Sequence, residues 1–351
     1  MKLAGLSACV PENKVASTVA YENFKQFDVD RIVDNTGVRE KREALPGVTA
    51  MDLCIGAAGP LLEALDWAPE TVDACIFVTM SPDYIMPASA HRVQTALGLP
   101  PRCLIFDVNL GCSGYTHGMI LMHSLIESGL IKRGLLLCGE ETSGTIRPRL
   151  PDAVHRSDLA NSILFGDAGS ATAVSDEGDD QVKAKQFGAD GKGLKTIIVP
   201  AGGSRDFCSP EVLERREDED GETRRPLDLI LRGPEILTFT MKRVPPLMKD
   251  LLKQSGWSID DVDAFVPHQA NKFMLDFLGR RTKVPKEKML MSIETFGNTS
   301  SASIPLTMVV DGGEHLTRPT KWNLMGFGVG LSWSGLMIET DSITTVPLIE
   351  V

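Results

Sequence analysis

The residues in this sequence whose types and settings suit covalent chemistry are a cysteine, a histidine and an asparagine. Cys112 lies in Asp107-Val108-Asn109-Leu110-Gly111-Cys112-Ser113-Gly114-Tyr115, where an apolar strand runs into a glycine-flanked turn and then a helix. Small neighbours leave a thiol there exposed. The unpaired N–H groups of a helix N-terminus favour an anion and lower a thiol pKa from its free value of about 8.5. Thiolate is the reactive form, so the expectation is a nucleophile. The competing reading is a buried packing cysteine, which suits Cys75 and Cys138 inside apolar runs; at Cys112 the flanking glycines favour the nucleophile.

His268 follows a strand in Phe265-Val266-Pro267-His268-Gln269-Ala270-Asn271, after a proline that helps to end it. An imidazole held at a strand end can donate to a developing oxyanion or exchange a proton near neutral pH. Taken alone it is a surface or capping histidine. Asn298, in Phe296-Gly297-Asn298-Thr299-Ser300-Ser301-Ala302-Ser303-Ile304-Pro305, offers an amide as a second donor, and taken alone is a good helix N-cap. The third element is Met325-Gly326-Phe327-Gly328-Val329-Gly330-Leu331-Ser332-Trp333, whose glycines let backbone N–H groups approach a substrate. No helix follows it and it has no phosphate-binding lysine, so an oxyanion role is preferred to a nucleotide one.

The elements that must position these groups alternate short apolar runs, such as Ala74 to Val78 and Gly134 to Cys138, with segments of helical period such as Met51 to Leu65 and Met119 to Ile126. That alternation predicts a layered α/β fold with strands buried on both faces. A weak internal repeat sharpens it. Asp73 to Val78 matches Asp263 to Val266, and Gly111-Cys112-Ser113-Gly114 matches Gly297-Asn298-Thr299-Ser300, each read as a tight turn between a strand and a helix. The same 28 positions separate Cys112 from Glu140 and Asn298 from Gly326. Two related halves, 1–178 and 179–351, follow, joined through the polar cluster Ser175 to Asp180. The repeat puts Cys112 and Asn298 at equivalent turns and His268 on the matching half, so the three converge. The acidic stretch Gly202 to Pro226 is expected to be a surface loop.

Bulk properties bound the partners. At 351 residues, 42% hydrophobic and 24% charged, the chain is an ordinary globular protein of two domains or two fused halves. A formal charge of -11 argues against a nucleic-acid surface over the whole molecule but leaves room for a local basic patch. Seven cysteines without a CxxC pair suit a reducing compartment. Leu6-Ser7-Ala8-Cys9 looks like a lipoprotein cleavage box, but the apolar run before it is shorter than a signal sequence needs and Val10-Pro11 ends a first strand. With no run long enough for a membrane span, a cytoplasmic enzyme is expected.

Together the motifs resemble the β-ketoacyl-ACP synthase III family of the thiolase superfamily, over nearly the whole chain. The likeness is carried by Gly111-Cys112-Ser113-Gly114, Leu164-Phe165-Gly166-Asp167, Val266-Pro267-His268-Gln269-Ala270-Asn271, Gly297-Asn298-Thr299-Ser300 and Gly326-Phe327-Gly328-Val329-Gly330, in the family's order. The resemblance implies a thiolase-like fold of two pseudo-repeated βαβαβ-type halves in a five-layered α-β-α-β-α core, a homodimer, and no metal or redox cofactor. It implies that Cys112 accepts an acyl group from acyl-CoA or acyl-ACP. His268 and Asn298 would bind a malonyl thioester whose decarboxylation gives an enolate, and the N–H groups of Cys112 and Val329 would face the acyl carbonyl. Phe296 and Gly328 join Met86 as expected substrate-binding residues. Glu140 and Glu141 leave a route open towards chemistry like that of HMG-CoA synthase and are otherwise read as structural. Other readings are a relative that joins two acyl chains or acylates a hydroxyl, and an inactive scaffold that binds a carrier protein.

Departures from the family pattern concern the donor. Arg31 and Asn35 stand where relatives accepting acyl-CoA carry Trp and Arg, and Leu159 stands where a further Arg is expected. This points to a donor carried on an acyl carrier protein, or to coenzyme A held differently. Lys272, Arg280 and Arg281, with Lys283, Lys286 and Lys288, form a basic cluster after His268. By resemblance Arg280 and Arg281 lie on a helix that docks the acidic carrier; otherwise the cluster is a solvated helix face. Met86, in Ser81-Pro82-Asp83-Tyr84-Ile85-Met86-Pro87, takes a position often held by Phe in a loop that closes the acyl pocket of the other subunit, or is an ordinary core methionine.

Overall fold

Buried strands that alternate their side chains between two faces need helices on both sides, and that requirement organises the chain. The structure, a computed structural model, describes residues 1–22, 24, 27–146, 156–178, 180–207 and 209–351. Asp179, the first residue of the expected second half, and Cys208 lie outside the described residues.

The first sheet is built from β1 (Lys2–Val10), β2 (Ala74–Val78), β3 (Leu104–Val108), β4 (Arg133–Glu140) and β5 (Ala168–Ser175). The second is built from β6 (Gln181–Ala189), β7 (Ala264–Pro267), β8 (Thr320–Gly328) and β9 (Ser332–Thr340), in the order β7-β8-β9-β6. Two short strands, β10 (Thr344–Thr345) and β11 (Ile349–Glu350), return to the first sheet, where both pair with β1 in parallel. The order there is β10-β1-β5-β4-β2-β3. Strands β2, β3 and β4 run parallel, and β5 is antiparallel to both β4 and β1.

Side-chain parity shows the layers. Cys75 and Phe77 of β2, Leu135 and Leu137 of β4, and Ala171 and Ala173 of β5 pack on α1 (Ala50–Ala64). Thr49 and Asp52 form a capping box that starts this helix. The alternate residues Ile76, Val78, Leu136 and Val174 face the opposite way, onto Tyr115, Met119 and Met122 of α2 (Gly114–Glu127). That same cluster holds Ala264, Val266, Trp322, Leu324, Leu336 and Ile338 of the second sheet. The outer face of the second sheet, with Phe265, Met325, Phe327 and Met337, is covered by α3 (Gly233–Ser255) and α4 (Lys272–Thr282). Between the sheets, α5 (Ser303–Asp311) lies beside α2 and contributes Ile304 and Met308. The result is the expected thiolase-like α-β-α-β-α sandwich, with two helices between the sheets whose N-termini start at the two matched turns.

The repeat is less regular than the sequence suggests. Asn298 is preceded not by a strand but by a one-turn helix, Ile293–Phe296, and the expected strand survives as a single bridge from Phe265 to Met289. The acidic stretch carries a short hairpin, Arg216–Glu217 paired with Thr223–Arg224, and its flanks Ile197–Ile198 and Ile230–Leu231 pair with each other.

Candidate active site

The Cys112 turn is seated by close packing from the second sheet. A Cβ on Gly328 would come within 2.6 Å of Cys112 Cβ and 2.8 Å of its Sγ, so this position tolerates no side chain without moving the sulfur. The Val329 N–H is directed at the thiol, and Ser300 Oγ lies 3.9 Å from Sγ. Burial pushes the thiol up to about 11, against the pull of Ser300 and of the Val329 N–H. The sequence expectation of a lowered pKa is thus corrected for the resting site. The helix N-terminus is present, but the sulfur is buried, and desolvation outweighs the few donors that reach it.

His268 leaves the end of β7 with its N–H donating to the Met325 carbonyl at 2.7 Å. Its Nδ1 is 2.8 Å from Ser303 Oγ, and its ring meets Phe327 edge-on at 5.6 Å. Burial lowers its pKa to about 3, so the ring is neutral at physiological pH. Asn298 is fixed from both ends. Its N–H donates to the Leu164 carbonyl at 2.8 Å, and its carbonyl accepts from Gly166 N–H at 3.2 Å. Its side-chain oxygen accepts from Ser300 N–H at 2.9 Å, a turn contact two residues on rather than the helix N-cap expected from sequence, while Nδ2 donates to the Ala270 carbonyl at 3.2 Å. That leaves the amide's second N–H for a ligand.

Cys112, His268, Asn298 and Gly328 line one pocket, with Phe165, Ala270, Asn271 and Phe327. A buried thiol, a neutral imidazole and a carboxamide around one cavity can combine nucleophilic attack on a carbonyl with fixed donors to its oxygen.

Residues 106–191 match the model of 3-oxoacyl-[acyl-carrier-protein (ACP)] synthase III, and residues 252–340 match that of its C-terminal part. The β-ketoacyl-[acyl-carrier-protein] synthase III of Syntrophomonas wolfei is 32% identical over 344 residues, covering 97% of each chain. A solved 3-oxoacyl-(acyl-carrier protein) synthase from Burkholderia xenovorans LB400 is 36% identical, with a TM-score of 0.90 over 100% of this chain and 97% of that one. The chain belongs to the β-ketoacyl-ACP synthase III family.

Other residues singled out within this synthase III framework fall in different places. Phe296 does not line the pocket; its ring is buried among Ala8, Val10, Ala168, Ala302 and Leu306, with the Arg42 guanidinium 5.6 Å away. The one-turn helix before Gly297 turns it into the core, which corrects the expected substrate contact. Met86 is 81% exposed beside exposed Tyr84 and Ile85, so it packs in no core of its own chain. Leu159 is fully buried against Ile32 and Val33, where it serves packing, while Arg31 and Asn35 are exposed on the helix Val29–Thr36. Arg280 and Arg281 are exposed in the last turn of α4, and Lys272 at its start pairs with Asp276 at 3.1 Å.

The pocket also has a wall that motif reasoning missed. Ile197, Leu231 and Ile236 reach it from the flanks of the acidic stretch and from α3. Serine hydroxyls at Ser300 and Ser303 contact the two reactive side chains, and the serine-rich run after Asn298 was the available signal. Among the described residues, no group of His, Cys, Asp and Glu is arranged to hold a metal ion. No helix among them is long and apolar enough to cross a membrane.

Proposed function

We propose that the protein carries out the decarboxylative Claisen condensation of an acyl thioester with malonyl-ACP, giving a 3-oxoacyl thioester for fatty acid or related biosynthesis. Cys112 takes the acyl group from acyl-CoA or acyl-ACP. The malonyl thioester then loses carbon dioxide, and its enolate attacks the acyl-cysteine. The observation that carries this reading is that Cys112, His268 and Asn298 open onto one cavity. His268 and Asn298 stabilise the enolate oxygen, and the N–H groups of Cys112 and Val329 stabilise the oxygen of the acyl carbonyl. Each such donor is worth about 2.7–4 kcal/mol of barrier. A neutral His268 suits this task, because it donates without adding a charge that must be desolvated.

The same reading assigns the remaining parts. Lys272, Arg280 and Arg281 form the face that meets the acidic carrier protein, beside the pocket wall supplied by Met274 of the same helix. The missing aromatic and arginine clamp favours a donor held on a carrier protein. The protein acts as a homodimer, supported by the half-exposed edge strand β3 and the exposed apolar loop Tyr84-Ile85-Met86. Met86 closes the acyl pocket across that interface. Residues 1–178 and 179–351 are the two thiolase-like halves, and the enzyme works in the cytoplasm. Intact-protein mass spectrometry with a panel of acyl-ACP and acyl-CoA donors tests the central step. An acyl adduct on Cys112, absent in Cys112→Ala, is expected; acylation elsewhere, or none from any donor, would reject the reading.

A further inference from the structure

Glu140 ends β4 in full burial, and the condensation as written gives it no task. Its carboxylate accepts from Met80 N–H at 3.1 Å, Ser81 Oγ at 3.0 Å, Thr79 Oγ1 at 3.4 Å and Ser300 Oγ at 3.3 Å. Among the described residues no cation pairs with it. Its charge acts on the thiols Cys54, Cys112 and Cys138. Burial raises its pKa to about 7, against the pull of these donors and of Ser301. Such a carboxyl can give up and take back a proton near neutral pH.

Ser300 links this acid to the nucleophile. Its backbone is left-handed, at φ 50°, unusual for a residue with a side chain, and the Asn298 side chain holds it there by accepting its N–H. The hydroxyl lies between Cys112 Sγ, at 3.9 Å, and Glu140 Oε1, at 3.3 Å. While Glu140 is ionised it only accepts, so the single hydroxyl proton goes to it and the thiol donates to the serine oxygen; once Glu140 is protonated, the serine is free to donate to the sulfur. With Glu140 ionised, the direction runs from sulfur to oxygen to carboxylate.

We propose that Ser300 and Glu140 form the route by which the Cys112 thiol loses and regains its proton. The proposal rests on the acylation of Cys112 set out above. As the sulfur attacks the donor carbonyl, its proton passes to Ser300 Oγ and the serine proton to Glu140. The new C–S bond forms, the donor's C–S bond breaks, and the released thiolate takes a proton from solvent. After the enolate attacks, Cys112 leaves as thiolate and recovers the proton from Glu140 through the same hydroxyl. One proton from solvent is consumed per turnover, as decarboxylation of a malonate anion requires. Glu140 acts through Ser300 and is a positioning and proton-holding residue; Ser300 touches the reacting sulfur.

The test is rapid-quench acylation of Cys112 by acetyl-ACP, followed by mass spectrometry from pH 5.5 to 9, in wild type, Glu140→Gln, Glu140→Asp and Ser300→Ala. Malonyl-ACP decarboxylation is measured alongside. In wild type the acylation rate is expected to rise through a pKa near 7. In E140Q and S300A it should fall at least tenfold and lose that rise, with decarboxylation reduced much less, and E140D should recover part of both rate and profile. Unchanged acylation in E140Q, or equal loss of acylation and decarboxylation in both variants, would overturn the relay. If wild type itself fails to acylate at Cys112 with any donor, the condensation reading fails instead.

Discussion

Nδ1 of His268 lies 2.8 Å from Ser303 Oγ, and the same hydroxyl donates to the Ser300 carbonyl at 2.8 Å. One hydroxyl proton cannot serve both acceptors. While it points at Ser300, His268 keeps its own proton on Nδ1 and Nε2 is bare. When it turns to Nδ1, Nε2 carries the proton and can donate to a thioester oxygen. Ser303, together with the Ser300 carbonyl that also hydrogen-bonds the ring, therefore biases which form of a neutral ring the substrate meets.

Removing that hydroxyl in Ser303→Ala is expected to slow malonyl-ACP decarboxylation about tenfold, equivalent to about 1.4 kcal/mol. Acylation of Cys112 should change by less than a factor of about three, well under 1 kcal/mol. Separate assays of the two half-reactions check this, and equal losses in both would remove the tautomer role.

Substituting Gly328→Ala places a methyl group against the Cys112 side chain, at 2.6 Å and 2.8 Å from its last two atoms. The sulfur must shift by a sizeable fraction of an ångström, and misplacement on this scale costs on the order of 100-fold in rate. The expected outcome is a folded protein, by circular dichroism, with kcat down about 100-fold and a smaller change in KM.

Acid stability should carry the mark of His268. Its pKa is about 3 when folded, against about 6.5 unfolded, so the unfolded chain binds the extra proton. Its contribution is full above the unfolded value and is lost as pH falls from about 6.5 towards 3. The loss by pH 5 is on the order of 2 kcal/mol. Glu140, raised to about 7, acts with the opposite sign over part of this range, since it favours the folded protein as pH falls. Urea unfolding of wild type and His268→Gln at pH 8 and pH 5 separates them: wild type should lose about 2 kcal/mol relative to the variant. An equal pH dependence would show that His268 does not titrate as assigned.

Reversing charge at Arg280 and Arg281, to Glu at both, is expected to raise KM for malonyl-ACP at least tenfold and to alter its salt dependence. Turnover of malonyl-CoA, which has no acidic protein to dock, should change little. Equal effects on the two substrates would place the basic turn of α4 outside the carrier contact.

What the sequence revealed followed from how local each signal is. Glycines around Cys112 and the proline before His268 act within a few residues, so the turn and the strand end were legible. The continuous apolar runs of β2 and β4, buried along nearly their whole length, were legible for the same reason. Phe296 was not, because a helix of one turn has no periodicity to show which way its ring points. The role of Ser300 was hidden as well. Its contact with Glu140 joins residues 160 positions apart, and neither has a neighbour that marks the pairing. The thiol pKa failed for a different reason: the helix terminus is a local feature, but desolvation depends on everything packed above the sulfur. Phe296→Ala should accordingly destabilise the fold by about 3–5 kcal/mol without altering acyl-chain preference, as denaturant titration and a chain-length panel would show.

The pairing of β1 with β10 and β11 sets an order of assembly. Strand Lys2–Val10 is made before the second sheet, yet one of its edges finds its partners only in residues 344 to 350, beyond that sheet. During translation the first sheet must wait with that edge open while the second sheet is made. An open apolar edge is where strands of other chains add. Until residues 344 to 350 are in place the first sheet offers that edge to other chains, and removing those two strands would make the exposure permanent.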